Sequence, residues 1–303
     1  MKLITILGPT AVGKTALAAA LAKRLDGEVI SADSRQVYKG MTIGTGKDLE
    51  DFEFEDRSIP YHLIDILPAG KSYNLFQFQQ DFYAAYLAII NRKKQAILCG
   101  GTGMYLQAAL DQYQLIEVPE NDEEIEKLKR LTQEELTKKL KEIDQPLHNS
   151  TDLEDKDRTI RAIQIAQAKQ NSVPKKSPVE SSIIFGIEMQ REKLRSRIQK
   201  RLDSRLEEGM LEEVEGLLNE GVSKEQLRYY GLEYRFITDY LDQQLTYDEM
   251  YTQLLQAIRR FAKKQVTWFR RMEKQGASIH WLSAELPLKE KLDFISNTLN
   301  EEE

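Results

Sequence analysis

Short, mostly apolar runs recur along the chain and are separated by longer stretches with helical spacing. The runs lie at residues 3–7, 28–33, 96–99, 182–187 and 279–282. Runs of this length are typical of strands in a parallel sheet that is covered on both faces. Residues 16–25 and 76–91 have helical spacing, and we expect Phe78, Phe82 and Tyr86 in the second helix to pack in the core. This alternation predicts an α/β fold with a parallel sheet flanked by helices.

The middle of the chain has a different pattern. From residue 120 to about residue 169 charged residues dominate, and apolar residues recur at helical intervals. These apolar residues are Ile125, Leu128, Leu131, Leu136 and Leu140. The polar stretch 171–178 contains two prolines and is typical of a linker. We therefore predict a helical insertion domain at residues 120–180, within a core of residues 1–119 and 181–303.

A glycine-rich loop follows the first predicted strand. Residues 8–15 are Gly-Pro-Thr-Ala-Val-Gly-Lys-Thr, the pattern Gly-x-x-x-x-Gly-Lys-Thr between a strand and a helix. In such a loop, backbone N–H groups and the helix N-terminus surround a phosphate, the lysine adds positive charge and the threonine can bind Mg²⁺. We expect a di- or triphosphate to bind at Gly8, Thr10, Ala11, Val12, Gly13, Lys14 and Thr15. The motif predicts a P-loop NTPase-like sheet, and a chance glycine-rich turn is the alternative.

Asp33 ends the second predicted strand. Because parallel sheets bind ligands at the carboxyl ends of their strands, we expect Asp33 to lie near the phosphate loop. Its carboxylate could hold Mg²⁺ through water or accept a proton from a nucleophile. A helix N-cap at Asp33 or Ser34 is the alternative.

Three further segments allow both a functional and a structural interpretation. Residues 40–47 are punctuated by glycines, and we predict a mobile substrate loop. Asp65 follows an apolar run and could be a metal-binding acid, but we favour a structural role. Gly100 and Gly101 follow a strand and permit either close approach of a ligand or a tight turn.

Two segments concentrate positive charge. Residues 191–205 contain seven Lys or Arg against two acids, with Arg197 and Arg201 one helical turn apart. Such a pair can clamp a leaving diphosphate or form a solvated face. Residues 259–271 contain six cations, no acid and interleaved aromatics, a combination that suits contact with a nucleic-acid backbone. A solvated face is again the alternative.

The composition of the 303-residue chain excludes several classes of site. One cysteine, Cys99, rules out an internal disulfide, and with only three histidines no zinc cluster can form. Cys99 lies in an apolar strand, so we expect an inert buried thiol. Without a signal sequence or a run of about 18 apolar residues, we expect a cytoplasmic protein with no membrane association. The net charge of −6 opposes uniform nucleic-acid binding, so local cationic patches must provide any such contact.

Five motifs together resemble those of the tRNA dimethylallyltransferase family, also called tRNA isopentenyltransferases. They lie at residues 8–15, 33–41 with 43–45, 62–66, 100–105 and 261–270. The motifs follow the family's order and span nearly the entire chain. The phosphate loop is shared by many enzymes, whereas Asp-Ser-Arg-Gln-Val-Tyr at 33–38 and Ala-Lys-Lys-Gln-Val-Thr-Trp at 262–268 are highly specific.

The resemblance implies transfer of a prenyl group from dimethylallyl diphosphate to the exocyclic amine of the adenosine 3′ to a tRNA anticodon. It also implies a phosphate-loop core with a helical insertion, and a channel that diphosphate and flipped adenine enter from opposite ends. The implied catalytic residues are Asp33, Thr10, Lys14 and Arg201, with Mg²⁺ as the cofactor at Thr15. The implied tRNA-binding residues are Asp33, Ser34, Arg35, Gln36, Thr102, Asp157, Arg158, Arg161, Arg259, Lys263, Lys264, Gln265 and Trp268. The expected partners are the anticodon stem-loop of tRNA and dimethylallyl diphosphate, and we expect a monomer.

The chain departs from the family pattern in three places. Where the family commonly has Thr-Ala-Lys-Pro, residues 45–48 are Thr-Gly-Lys-Asp, which places Asp48 at the proline position. Glu126 stands where an arginine is common, and Leu232 follows Gly231 where a tyrosine is common. We expect these changes to affect which tRNAs are recognised and to leave the diphosphate site unchanged.

Two other functions fit part of the sequence. A phosphate-loop kinase or NTPase would bind ATP at the same loop. No other motif indicates a pocket for its adenine, however, and the cationic helix has no role in a small-molecule kinase. A non-catalytic RNA-binding protein with a nucleotide switch would leave Asp33 unexplained.

Overall fold

The computed structural model describes residues 2–110, 115–118, 122–143, 153, 155–171 and 176–302. The chain forms two compact units. The core unit contains residues 1–112 and 177–303, and the insert unit contains residues 113–176. Most of the predicted linker, residues 172–175, lies outside the described residues. In the part of the chain that is described, no helix has the length and apolar character needed to cross a bilayer.

A six-stranded parallel sheet forms the centre of the core unit, in the order β4-β2-β6-β1-β7-β8. Its strands are β1 (Leu3–Leu7), β2 (Gly27–Ala32), β4 (Tyr61–His62), β6 (Gln95–Gly100), β7 (Ser182–Glu188) and β8 (Ile279–Ser283). The short strands β3 (Tyr38–Lys39) and β5 (Leu67–Pro68) form a separate parallel pair. This confirms the α/β fold and the parallel sheet predicted from the apolar runs.

The register of the sheet places β1 at its centre. Ile4 is paired with Ile97 on β6 and with Ile183 on β7, and all five residues of β1 are buried. Burial on both faces is why β1 has a continuous apolar sequence instead of an alternating one. The loop after β1 therefore emerges between two other strand ends, those of β6 and β7.

Helices cover the sheet, and the aromatic stripe predicted for residues 76–91 is in the core. The helices of the core unit are α1 (Lys14–Leu25), α2 (Leu75–Asn91), α3 (Gly103–Ala109), α7 (Arg191–Glu207), α8 (Met210–Asn219), α9 (Lys224–Tyr230), α10 (Leu232–Leu241), α11 (Tyr247–Lys274) and α12 (Leu288–Glu301). Phe78, Phe82 and Tyr86 of α2 are buried and stack along its inner face. Thr246 and Glu249 form a capping box that starts α11.

The insert unit is helical, with a hydrophobic cluster of its own. Its helices are α4 (Asp122–Lys129), α5 (Gln133–Ile143) and α6 (Lys156–Asn171). Leu128, Leu136 and Leu140 are buried against Ile160 and Ile163 of α6. Leu136 and Leu140, four positions apart, lie on one face of α5, and Leu128 joins their cluster from α4.

The carboxyl-terminal part of the core unit contains elements that the apolar pattern did not predict. Helices α8, α9, α10 and α12 are absent from the sequence-based expectations. Glu302, next to the end of α12, accepts a hydrogen bond from Lys2 Nζ at 3.1 Å and lies 3.4 Å from His280 Nε2. These contacts join the end of the described chain to the sheet.

Candidate active site

The phosphate loop owes its shape to backbone conformations at the end of β1. Ala11 and Gly13 have positive φ angles of 65° and 85°, and Gly13 is the residue that starts α1. At Gly8 a Cβ atom would lie 2.7 Å from the carbonyl oxygen of Ile187 on β7, so only glycine fits. The loop therefore wraps back on itself and directs the N-terminus of a 12-residue helix at its centre.

Lys14 turns back over this loop. Its Nζ donates a hydrogen bond to the carbonyl oxygen of Pro9 at 2.7 Å. Burial lowers the pKa of Lys14 to about 8, and the charge of Arg201 lowers it as well, while Asp33 acts in the opposite direction. A cation with a lowered pKa at a helix N-terminus is a strong partner for an anion, because the anion restores the missing solvation.

Several of the predicted site residues line a single cleft. Thr10, Ala11, Gly13, Lys14 and Thr15 contribute from the phosphate loop. Asp33, Gln36, Arg201 and Gln265 contribute from elsewhere in the core unit. Of the other residues predicted to bind diphosphate, Val12 is buried and Gly8 packs against β7. The cleft thus places Asp33 at the phosphate loop, as the parallel sheet predicted.

Asp33 starts a turn. Its Oδ1 accepts a hydrogen bond from the backbone N–H of Arg35 at 2.9 Å, and residues 34–37 form turns instead of a helix. The alternative of a helix N-cap at Asp33 or Ser34 is therefore wrong. The turn holds the carboxylate at the end of β2, where it lines the cleft with Lys14 and Thr15.

The residues after Asp33 join neighbouring loops. Ser34 donates its N–H to Thr102 Oγ1 at 3.4 Å, which connects the ends of β2 and β6. Gln36 accepts a hydrogen bond from Ser31 and donates one to the carbonyl oxygen of Gly46 at 3.0 Å. The loops that carry Ser34, Gln36 and Thr102, three of the predicted tRNA-binding residues, therefore form one hydrogen-bonded structure.

The side chain of Arg35 points to another element. Its guanidinium carbon lies 5.6 Å from the centre of the ring of Tyr229, which is exposed. A planar cation over an aromatic ring at this distance is a cation–π contact.

The glycines after β6 make room for α11. A Cβ at Gly101 would overlap with the amide of Gln265, and a Cβ at Gly103 would overlap with the ring of Trp268. Gln265 Oε1 accepts a hydrogen bond from Thr10 N at 2.9 Å, and its Nε2 donates one to Gly101 O at 3.0 Å. The sequence allowed either close approach of a ligand or a tight turn at the glycines after β6. The structure gives a third reason for them, the close packing of α11.

Arginines of α7 approach the phosphate loop. Arg201 lines the cleft, and Arg197 Nη2 lies 3.6 Å from the point where a Cβ would stand on Gly13. Burial lowers the pKa of Arg201 to about 10, and the neighbouring charge of Arg205 adds to this effect. Arg201 is therefore part of the cleft, whereas Arg197 is exposed at its edge beside Gly13.

Glu233 lies with Arg201 and Arg205 around one small pocket, a grouping that the sequence did not predict. Burial raises the pKa of Glu233, while Arg205 and Arg201 oppose that effect. Its neighbours on α7 are more than twenty residues away in the chain, so no local pattern could reveal the contact.

The loop at residues 40–47 is held in place by several hydrogen bonds. The carboxylate of Glu213 on α8 accepts hydrogen bonds from the N–H groups of residues 42–44 at 2.7 to 3.0 Å. Lys47 is fully buried and forms an ion pair with Asp65. These contacts define one conformation of the loop, and its mobility stays a prediction. The structural role favoured for Asp65 fits its pairing with Lys47.

The departure at residues 45–48 lies in the cleft that contains the phosphate loop. Gly46 and Asp48 line the cleft, and Asp48 forms ion pairs with Arg201 and Arg205. The effect of this departure on the diphosphate site stays a prediction. The placement of Asp48 in the cleft was not expected, because local sequence does not show where a long arginine side chain from α7 will end. Asp51, on the 3₁₀ helix Leu49–Phe52, also lines the cleft and was not predicted.

Other predicted tRNA-binding residues lie on helices α11 and α6. On α11, Lys263 and Lys264 are exposed, whereas Arg259 donates a hydrogen bond to Gln199 at 3.0 Å. Trp268 is partly buried, and its Nε1 has no hydrogen-bond partner among the described residues. On α6 of the insert unit, the predicted residues Asp157, Arg158 and Arg161 are all exposed.

Cys99 lies at the floor of the cleft. Burial raises the pKa of its thiol to about 12, so the thiol stays protonated and is a poor nucleophile. The expectation of an inert buried cysteine agrees with this environment.

Comparison with known proteins places these features in a family. The model of the family described as IPP transferase matches residues 36–272, and that of isopentenyl transferase matches residues 1–59. The chain is 51% identical over 301 residues to tRNA dimethylallyltransferase 2 of Bacteroides fragilis (strain ATCC 25285), covering 99% of this chain and 98% of the relative. A protein of the same description from Porphyromonas gingivalis (strain W83) is 51% identical over 300 residues, with 97% of both chains covered.

Solved structures agree with the sequence comparison. The crystal structure of the tRNA isopentenylpyrophosphate transferase of Bacillus halodurans has a TM-score of 0.71 and is 34% identical, covering 99% of this chain and 97% of that one. A eukaryotic dimethylallyltransferase structure, 24% identical, shares the fold with a TM-score of 0.77 over 98% of this chain and 80% of that one. The IPP transferase model matches most of the chain, and the curated relatives are about 51% identical over nearly all of it. This chain therefore belongs to the tRNA dimethylallyltransferase family, as its sequence motifs predicted.

Proposed function

We propose that this protein transfers the dimethylallyl group of dimethylallyl diphosphate to the exocyclic amine of the adenosine 3′ to a tRNA anticodon. The observation that carries the proposal is the placement of Asp33 in the same cleft as Lys14 and Thr15. A phosphate loop binds the donor's diphosphate, and a carboxylate beside it can take the proton that the amine must lose.

In this reaction the bond between the allylic carbon and the diphosphate oxygen breaks, and a bond between that carbon and the amine nitrogen forms. The diphosphate leaves with the electron pair of the broken bond. Negative charge therefore grows on the oxygen during the step, and fixed positive groups at that position lower the barrier. The N–H groups of the loop, Lys14 and Arg201 are the groups we assign to this role.

A divalent cation fits the donor set of the cleft. Within the described ranges, no group of three His, Cys, Asp or Glu side chains is placed to hold a metal ion. Mg²⁺ commonly binds through one or two protein oxygens and through substrate phosphates, so the hydroxyl of Thr15 suits an ion that arrives with the diphosphate. Such an ion supplies further neutralisation of the leaving group.

The acceptor needs a base because the amine of adenine is a weak nucleophile. We assign proton removal to Asp33, with Thr10 hydrogen-bonding beside the reacting atoms. Adenine must leave its stack to reach a cleft, and we assign Ser34, Arg35, Gln36 and Thr102 to its recognition on the family resemblance. The hydrogen bond between Ser34 and Thr102 supports this assignment, because it fixes the two loops relative to each other.

The exposed cations supply contacts for the rest of the tRNA. We propose that Lys263 and Lys264 bind backbone phosphates of the anticodon stem-loop, together with Arg158 and Arg161 of the insert unit. The tRNA contacts of Arg259, Gln265, Trp268 and Asp157 are proposed on the family resemblance alone. We further propose that the protein acts in the cytoplasm as a monomer.

The experiment measures transfer of radiolabelled dimethylallyl groups to a tRNA transcript in the presence of Mg²⁺. A matched transcript with guanosine in place of the acceptor adenosine is the control, and ATP hydrolysis is followed on the same preparation. Label in the adenosine transcript alone, without ATP turnover, supports the proposal. ATP turnover without label would contradict it and favour a phosphate-loop NTPase.

A further inference from the structure

Asp48 faces two arginines at the diphosphate end of the cleft. Its Oδ2 lies 3.6 Å from Arg201 Nη2, and its Oδ1 lies 3.5 Å from Arg205 Nη2. Both guanidinium groups lie over Gly46, where a Cβ would overlap with them. The absence of a side chain at residue 46 is therefore a condition for the two ion pairs at residue 48.

Besides Glu233, which lies near it, the guanidinium group of Arg201 has two possible anionic partners within the cleft. One is the carboxylate of Asp48, and the other is the diphosphate that the phosphate loop binds under the proposed function. Carboxylate and phosphate oxygens accept hydrogen bonds from the same guanidinium donors. Because Asp48 and the phosphate loop line one cleft, the two anions approach Arg201 within the same space.

We propose that Asp48 is a competing counter-ion for Arg201 that limits the affinity of the cleft for diphosphate and so promotes its release after transfer. The inference rests on the proposed function, since it assumes that diphosphate binds at this loop. When the cleft has no diphosphate, Asp48 offsets the clustered positive charge of Lys14, Arg201 and Arg205.

The distances indicate that Asp48 competes with a bound anion for Arg201 and does not position the arginines for that anion. The two ion pairs are long, at 3.5 and 3.6 Å, so Asp48 does not hold either arginine in one fixed orientation. Its negative charge, however, acts at close range on any anion bound beside Lys14. A carboxylate at this position therefore costs diphosphate affinity and contributes little to the positioning of the arginines.

The test is the affinity for inorganic pyrophosphate with Mg²⁺, measured by titration calorimetry. In Asp48→Asn the side chain keeps its size, and asparagine tolerates the φ of 37° at this residue. We expect this variant to bind pyrophosphate about tenfold more tightly. The control is Glu50→Gln, which removes an exposed carboxylate from the same 3₁₀ helix and should leave the affinity within about twofold.

A second variant, Asp48→Gly, also suits the positive φ and should tighten binding by a similar factor. If the wild-type protein binds pyrophosphate and both variants bind it equally or more weakly, the inference is overturned. If the wild-type protein binds no pyrophosphate, the diphosphate site itself and the proposed function are contradicted.

Discussion

The side-chain amide of Gln265 accepts a hydrogen bond from the backbone N–H of Thr10 at 2.9 Å, although the two residues are 255 positions apart in the chain. The same amide donates to the carbonyl oxygen of Gly101 at 3.0 Å. Gln265 therefore joins the phosphate loop, the end of β6 and α11, and it does so from a buried position. The cleft owes part of its shape to a helix near the other end of the sequence.

Replacing Gln265 by Leu should loosen the phosphate loop. The variant leaves the N–H of Thr10 and the carbonyl group of Gly101 without their partner, and we expect the free energy of unfolding to fall by about 2 kcal/mol. Pyrophosphate affinity should fall about tenfold, since the loop is no longer held in its binding conformation. Denaturant unfolding and calorimetry measure the two effects. Gln256→Leu, at an exposed residue of α11, is the matched control, and equal behaviour of the two variants would contradict this role.

The cationic surface of α11 predicts a salt-dependent interaction with tRNA. Replacing both Lys263 and Lys264 by Ala should weaken tRNA binding and reduce the slope of log K against log salt by about one unit for each phosphate that the variant no longer binds. Filter binding over a range of salt concentrations measures the slope. Lys289→Ala, an exposed lysine on α12, is the control and should not alter it. An unchanged slope in the double variant would mean that this face of α11 is only solvated.

The raised pKa of Asp51 predicts that the stability of the protein depends on pH. Burial raises the pKa of its carboxyl to about 6, and the charges of Asp48 and Glu50 add to the effect. When folding raises the pKa of an acid, the folded state holds its proton more tightly than the unfolded state does. The resulting contribution to stability is complete below the pKa of the unfolded state, near 4, and is lost as the pH rises through the folded value of about 6.

Replacing Asp51 by Asn should therefore stabilise the folded protein most at neutral pH. Relative to the wild-type protein, the free energy of unfolding of the variant should rise by about 1 to 2 kcal/mol between pH 4 and pH 7, after allowance for solvent screening. Urea unfolding at the two pH values measures this difference. Glu55→Gln, at an exposed residue that does not affect the pKa of Asp51, serves as the control for removal of a nearby charge. A difference that does not vary with pH would show that Asp51 titrates normally.

Local patterns in the sequence account for the sheet and for the phosphate loop. The apolar runs predict the long strands because burial on both faces requires continuous apolar sequence, and the glycines of residues 8–15 predict a loop whose backbone few other residues could adopt. Helix α8 was missed although Met210, Val214 and Leu217 are buried at helical spacing, so the signal was present in the sequence.

The contacts that complete the cleft could not be predicted in this way. Asp48 pairs with arginines more than 150 positions away, and Gln265 reaches Thr10 from the far end of the chain. Such pairs depend on how α7 and α11 pack on the sheet, which hydrophobic periodicity does not specify. The family resemblance named Arg201 and Gln265, but it did not show that Asp48 shares Arg201 or that Gln265 has hydrogen-bond partners inside the protein.

The central claim is that Asp33 removes the proton in a cleft whose phosphate loop binds the leaving diphosphate. Its most direct test is the single-turnover rate of dimethylallyl transfer to tRNA by wild-type protein and Asp33→Asn, with pyrophosphate and tRNA affinities measured on the same preparations. We predict that the variant binds both ligands as the wild-type protein does and transfers about 10²- to 10⁴-fold more slowly, the usual effect of losing a general base. A near-normal rate in the variant would contradict the claim and remove Asp33 from the mechanism.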